Sequence, residues 1–136
     1  MSNKTIGNQF EAEFASMLYA NGFWTLNVTQ NAAGQASDIV TVRNKRAALI
    51  DCKVCSEDRF VFSRAEDNQR LSMEVWEQCG NGNAYFALKV SDGIYMLSYK
   101  RLRALEREGK KSINLREIIE NTRSISWWVE HYDNLC

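Results

Sequence analysis

The sequence predicts an α/β protein in which helices flank one mixed β-sheet. Runs of strand character alternate along the chain with stretches of helical spacing. The predicted strands cover 23–29, 38–42, 47–54, 84–90 and 94–98. The predicted helices cover 8–21, 66–79 and 100–108. Because the chain has no proline, internal repeat or low-complexity tract, we expect a single domain over residues 1–136.

The first predicted elements have clear start and stop signals. The apolar residues Phe10, Phe14 and Leu18 recur at helical spacing, and Asn21-Gly22 follows as a stop. A small polar loop, N-A-A-G-Q-A-S, separates the first strand from the second. The second and third strands are joined by the tight basic turn 43–46, which predicts a hairpin.

The second half continues the same alternation. A helix over 66–79 places Leu71, Val75 and Trp76 on one side and ends at a run of glycine and asparagine. Residues 84–90 and 94–98 are separated by Ser-Asp-Gly, which predicts a second hairpin. The last 24 residues carry apolar groups, including Trp127-Trp128, but their pattern does not decide between helix and strand.

Composition excludes several classes of protein. The chain is 45% apolar with 17 basic and 17 acidic residues, so it can build a core and is not a disordered polymer. It has neither an apolar run long enough for a membrane span nor a signal peptide, and we expect it to be cytoplasmic. Cys52 and Cys55 form a C-x-x-C, but on a strand and without two well-spaced partners, which argues against a zinc site.

Charges interrupt one apolar strand. Residues 48–55 read A-L-I-D-C-K-V-C, so Asp51 and Lys53 share one face while Ile50 and Cys52 share the other. The preceding hairpin brings Asp38 close to Asp51, and two adjacent carboxylates repel each other unless a cation lies between them. Oxygen ligands suit Mg²⁺ or Mn²⁺. The alternative is a surface ion pair of Asp51 and Lys53 on an exposed edge strand.

These residues resemble a known nuclease signature. S-D-I-V followed by L-I-D-C-K is similar to the split PD-(D/E)xK motif of restriction-endonuclease-like nucleases. G-N-Q-F-E-A-E-F-A-S-M-L-Y-A-N-G-F resembles the first helix of the archaeal-type Holliday junction resolvases, and the similarity covers roughly residues 6–105. Ser37 stands where the signature has proline, and Asp51 where the resolvases more often have glutamate.

The resemblance implies roles for particular residues. It makes Glu11, Asp38, Asp51 and the carbonyl of Cys52 metal ligands, with Mg²⁺ as cofactor and Mn²⁺ as a possible substitute. Glu13 competes with Glu11 but lies about 200° away around the helix. Lys53 would orient the attacking water or stabilise charge on a phosphate. Gln69 lies where the family often has a glutamine, which would bond the lysine or a phosphate.

Contacts with DNA are expected from the polar loop and from basic residues. Gln35 and Ser37 precede Asp38 in the loop, and the family has a functional serine there. The basic candidates are Arg43, Lys45, Arg46 and Arg64. A charge run is also compatible with a solvated surface. His131 is expected to be a surface residue rather than a catalyst.

The resulting hypothesis is a Mg²⁺-dependent endonuclease. The resemblance implies a restriction-endonuclease-like fold and a homodimer that cuts DNA four-way junctions symmetrically. One alternative is a nuclease of the same fold that acts on other DNA in repair or restriction. The other is a non-catalytic nuclease-fold module that binds DNA.

Overall fold

The computed structural model describes residues 2–28 and 39–135. The chain order of its helices and strands is α1 (Asn3–Ala20), β1 (Trp24–Asn27), β2 (Ile39–Arg43), β3 (Arg46–Val54), β4 (Phe60–Val61), α2 (Asp67–Gln78), β5 (Ala84–Val90), β6 (Gly93–Ser98), α3 (Tyr99–Arg107), β7 (Ser112–Ile113), α4 (Leu115–Asn121), β8 (Arg123–Ser124) and α5 (Ile125–His131). Two short 3₁₀ turns, Ser56–Asp58 and Phe62–Arg64, flank β4. Across the described ranges, no helix is long and apolar enough to cross a membrane.

Six strands form one mixed sheet in the order β1-β2-β3-β5-β6-β8. The central pair β3 and β5 is parallel and is connected through α2, whereas the other neighbours are antiparallel. Parallel neighbours require such a crossover, while antiparallel neighbours are joined by tight turns. The structure therefore confirms the predicted central mixed sheet with flanking helices.

Apolar side chains cover both faces of this sheet. On one face, Phe10 and Phe14 of α1 and Trp128 of α5 pack with Ile50 of β3. On the other face, a second apolar cluster joins α2, α3, β4 and the sheet, and it contains Leu49 of β3. Since side chains alternate along a strand, Asp51 and Lys53 lie on the same face as Leu49, toward α2. The expected packing of Ile50 and Cys52 into a core is confirmed.

A two-residue turn joins β2 to β3. Asn44 and Lys45 both have positive φ, 51° and 67°, as a two-residue hairpin turn of the primed type requires. The ladder runs from Arg43 opposite Arg46 to Ile39 opposite Ile50. This turn fixes the register that places Asp51 toward α2.

The first helix begins earlier than the sequence pattern predicts. Ser2 is its N-cap, and the Ser2 hydroxyl accepts a hydrogen bond from the Thr5 N–H at 3.1 Å. This capping bond stabilises an additional turn before residue 8. That turn bears on the site described below, because it lines the same cleft as Lys53.

The C-terminal tail, which the sequence pattern did not decide, forms two short helices around one short strand. Asn114 and Ser124 cap α4 and α5 through hydrogen bonds to Glu117 N–H and Trp127 N–H. Trp128 is 1% exposed, and the Tyr132 hydroxyl donates to the Arg46 carbonyl at 2.8 Å. The tail therefore completes the apolar layer above the β2–β3 hairpin.

We predict that Trp128→Ala lowers the free energy of unfolding by about 3–5 kcal/mol, because it removes a large buried side chain. Urea unfolding checks this value. Trp24→Ala is the matched control, since Trp24 is 58% exposed and its loss should change stability by less than about 0.5 kcal/mol. Equal effects of the two substitutions would contradict the docking of the tail.

Candidate functional site

The second half of β3 carries two buried charges. Asp51 is 1% exposed and Lys53 is 9% exposed. The Lys53 ammonium Nζ lies 3.7 Å from Asp51 Oδ1. Buried charges are destabilising unless they are paired and hydrogen-bonded. The alternative of a surface pair on an exposed edge strand is wrong, because β3 is central and both groups are buried.

Gln69 of α2 also holds the Lys53 ammonium. Lys53 Nζ donates to Gln69 Oε1 at 3.1 Å. The same Gln69 oxygen accepts the N–H of Glu66, the N-cap of α2, at 3.0 Å. A single atom, Gln69 Oε1, thus accepts hydrogen bonds both from Lys53 and from the backbone at the start of α2. The predicted hydrogen bond between Gln69 and the lysine is present.

The backbone of β3 around these charges is paired differently on its two sides. On one side, β5 pairs with β3 as far as Val54, which lies opposite Lys89. On the other side, the ladder with β2 ends at Ile39 opposite Ile50. In residues 2–28 and 39–135, no strand pairs with β3 on that side after Ile50. Asp38 is the residue before β2, and it lies outside the described residues, as do Gln35 and Ser37.

A cleft of about 510 Å³ opens beside this part of β3. Its walls include Ile6 and Gly7 from the first turns of α1, Lys53 and Val54 from β3, and Arg64. Arg64 Nη1 donates to the Val54 carbonyl at 2.7 Å, which holds its guanidinium at the wall. Arg59 also lines the cleft. A polyanion entering here would meet three cationic side chains.

Glu11 lies on α1 beyond the first turns, which line the cleft. It lies four residues after Gly7, about one helical turn, and is half-buried. The competing Glu13 is exposed and accepts a hydrogen bond from the Gln9 side chain at 3.1 Å. Glu11 is thus the less exposed of the two glutamates, and its assignment to the site stays a prediction.

The cysteines do not form a joint site. Cys52 packs in the apolar layer beside α1, whereas Cys55 packs in the layer beside α2. Burial raises the pKa of the Cys55 thiol to about 11, so this thiol stays protonated at neutral pH. His131 stacks on Trp127, and its Nδ1 lies 2.9 Å from the Trp127 carbonyl.

The donor atoms available at the site are oxygens. Among the residues that the structure describes, no group of three or more His, Cys, Asp or Glu side chains could hold a metal ion. The described part contributes the buried Asp51 carboxylate, and Glu11 on α1 is the other candidate carboxylate. Carboxylate oxygens fit a hard divalent cation such as Mg²⁺ and do not suit a thiol-binding metal.

The basic hairpin turn lies at the other end of β3. Arg46 is seven residues before Lys53, roughly 23 Å along an extended strand. The Arg43 guanidinium bonds to Asp133 and to the carbonyls of Asn21 and Val129, and it lies 4.4 Å from the centre of the Phe23 ring. Lys45 is exposed. Arg43 therefore holds the tail against the hairpin.

One part of the cleft was missed from the sequence. Asn3 and Ile6 line it, but the predicted helix began at residue 8. The signal that could have found them is Ser2, a favoured N-cap residue that precedes the extra turn of α1.

Comparisons with known proteins agree with this geometry. The sequence model of the archaeal Holliday junction resolvases (Hjc) matches residues 2–126. Among solved structures, Hjc from Archaeoglobus fulgidus, a Holliday junction resolvase from an archaeal hyperthermophile, superposes with a TM-score of 0.69 at 20% identity, covering 90% of this chain and 99% of that chain. The superposition confirms the restriction-endonuclease-like fold. No curated protein sequence matches this one. Since the family match spans nearly the whole chain, the protein belongs to the archaeal Holliday junction resolvases, a family of endodeoxyribonucleases.

Proposed function

We propose that this protein is a Mg²⁺-dependent resolvase that cuts DNA four-way junctions by paired nicks and acts as a homodimer. Nucleases of the family generally depend on a divalent metal. The observation that carries the proposal is the buried Asp51–Lys53 pair, in which Gln69 holds the lysine. A protein that only bound DNA would gain nothing from burying these charges beside a basic cleft.

Asp38, Asp51, Glu11 and the carbonyl of Cys52 would hold the metal. The hairpin ladder pairs Ile39 with Ile50, and Asp38 and Asp51 are the next residues along their strands. Two carboxylates at one site repel each other unless a cation lies between them, which is the reason for assigning both to the metal. A bound Mg²⁺ would lower the pKa of a coordinated water and stabilise charge on the phosphate, and Mn²⁺ accepts the same oxygen ligands.

Lys53 supplies a fixed positive charge beside Asp51. Its ammonium has three donors, and the contacts with Gln69 and Asp51 use two directions. The remaining direction serves the attacking water or a non-bridging phosphate oxygen. Because the ammonium is buried and already oriented, its interaction with developing charge is stronger than it would be in water. Gln69 acts by holding Lys53 in this orientation.

Contacts with the DNA backbone are assigned to the cleft and to the hairpin turn. Arg64 faces the same cleft as Lys53, so it is placed for a phosphate next to the one being cut. Lys45 lies in the hairpin turn and Arg46 at the start of β3, so they would meet a more distant phosphate. Gln35 and Ser37 complete the proposed contacts. Phosphate contacts of this kind position the duplex and carry no sequence information.

A homodimer follows from the substrate, because a four-way junction presents two equivalent strands. The helix α2 offers a self-association surface, since Leu71 and Val75 lie four residues apart on one face and are 61% and 47% exposed. A two-fold axis at such a surface would bring two cleavage sites into one particle.

We predict that the protein introduces paired nicks in a labelled immobile four-way junction in the presence of Mg²⁺ and none in EDTA. Asp51→Asn and Lys53→Ala should each slow cleavage at least about 100-fold, because the first removes a proposed metal ligand and the second removes a positive charge that stabilises the anionic transition state. Glu11→Gln should also slow it, whereas Glu13→Gln is the matched control on the same helix and should not.

Other outcomes of this experiment discriminate the alternatives. Equal cutting of the junction and of a linear duplex with the same sequence would favour a nuclease that acts on other DNA. Tight junction binding without cleavage in Mg²⁺ or Mn²⁺ would refute the catalytic role and leave a DNA-binding module. Thermal unfolding of each variant separates loss of activity from loss of structure.

We predict that Arg64→Ala weakens junction binding and lowers the slope of log K against log salt by about 1, because one phosphate contact is lost. Fluorescence anisotropy at several salt concentrations in EDTA measures this slope. Arg116→Ala is the control, since Arg116 is a highly exposed arginine of α4 that pairs with Glu120. The same slope for Arg64→Ala and the unmodified protein would remove Arg64 from the proposed interface.

We predict that the protein sediments at twice its chain mass and that Leu71→Ser with Val75→Ser makes it monomeric, because two apolar contacts are lost from the interface. The control is Trp24→Ser with Leu26→Ser, which changes exposed apolar residues of β1 instead. If the α2 variant stays dimeric and the β1 variant becomes monomeric, the interface lies on β1. A monomer before any substitution would refute the homodimer.

A further inference from the structure

Arg70 in the first turns of α2 makes an unusually complete set of contacts. Its guanidinium forms two parallel bonds with the Glu106 carboxylate of α3, at 2.8 and 3.0 Å. It also donates to the carbonyl of Ala65 at 2.7 Å and to that of Phe62 at 3.0 Å. The rigid fork of an arginine side chain suits such a set, whereas a lysine ammonium cannot reproduce it.

One of these contacts falls on the peptide group that supports Gln69. The carbonyl of Ala65 and the N–H of Glu66 belong to a single planar peptide unit. The carbonyl accepts from Arg70, and the N–H donates to Gln69 Oε1 at 3.0 Å. Gln69 Oε1 in turn accepts from Lys53 Nζ at 3.1 Å. A continuous chain of hydrogen bonds therefore runs from Glu106 to Lys53.

We propose that Arg70, oriented by Glu106, is a positioning residue that fixes the Lys53 ammonium through the Ala65–Glu66 peptide and Gln69. This inference rests on the proposed function, in which Lys53 takes part in cleavage. The guanidinium donors of Arg70 are directed at the protein rather than at the cleft. A shift of the peptide plane would displace Gln69 Oε1, and with it the buried ammonium.

The contacts of Arg70 are not needed merely to attach α2 to α3. A second ion pair already connects the same helices, since Arg103 Nη1 of α3 lies 3.9 Å from Glu77 Oε1 of α2. That pair lies about two helical turns further along α2 than Arg70. It provides a matched control that weakens contact between α2 and α3 without touching the Ala65–Glu66 peptide.

The first test compares Arg70→Lys with Arg103→Lys in single-turnover cleavage of a labelled junction by saturating protein and Mg²⁺. We expect Arg70→Lys to slow cleavage about 10-fold, since small displacements of catalytic groups reduce rates strongly. The junction Kd of Arg70→Lys in EDTA should change less than about twofold. For Arg103→Lys, both the cleavage rate and the junction Kd should change less than about twofold. Equal cleavage rates in the two variants would overturn the inference.

The second test asks whether Arg70 acts through Gln69. We expect Gln69→Ala to slow cleavage, and Arg70→Lys to add less than about a twofold change in that background. A further tenfold loss would show that Arg70 acts by another route. Glu106→Gln keeps the shape of the side chain but weakens its paired bonds with Arg70, so it should slow cleavage by a smaller factor. This variant replaces Arg70→Lys if Arg70→Lys does not fold.

A readout independent of activity separates this inference from the proposed function. Hydrogen exchange of the Glu66 amide should be faster in Arg70→Lys than in Arg103→Lys, because its peptide is no longer held from the carbonyl side. Unchanged exchange at Glu66 would overturn the inference. A protein that showed the faster exchange but cut no junction would refute the proposed function and leave the positioning contact intact.

Discussion

The burial of the Lys53 ammonium is the constraint on which the rest of the site depends. A lysine that is 9% exposed needs acceptors, and the fold supplies Asp51 from the same strand and Gln69 from α2. The start of α2 must therefore lie against β3 in one orientation. Arg70, Glu106 and the turn before α2 maintain that orientation, so α3 contributes to the site without reaching it.

The residues that pack β3 into the core and the residues proposed for cleavage lie on different parts of the strand. The apolar layer beside α1 holds one face of β3, and the layer beside α2 holds the beginning of the other face. On that second face, β3 carries charge only near its end, at Asp51 and Lys53, which follow the last described pair with β2, Ile50 opposite Ile39. The cleft forms there because α1 approaches with its first turns, where Gly7 presents no side chain.

The parts that the sequence predicted are those whose signals are local. Alternation along β3 separated Asp51 and Lys53 from Ile50 and Cys52, and the resemblance implied that Gln69 would bond the lysine or a phosphate. The tail was undecided because α5 has only seven residues, too few for a period to show, and its adjacent tryptophans suit either structure. The contacts of Arg70 could not be predicted, because its acceptors, two backbone carbonyls and the Glu106 carboxylate, converge only after folding.

The two-residue turn at Asn44 and Lys45 has a consequence for how relatives of this protein can diverge. Surface turns normally tolerate gained and lost residues. Here one added or deleted residue would shift the β2–β3 pairing by a step and turn Asp51 and Lys53 into the layer beside α1. Homologues that retain the site should therefore vary the identity of these turn residues while keeping the spacing between β2 and β3 constant. The most exposed part of the hairpin is thus among the least free to change length.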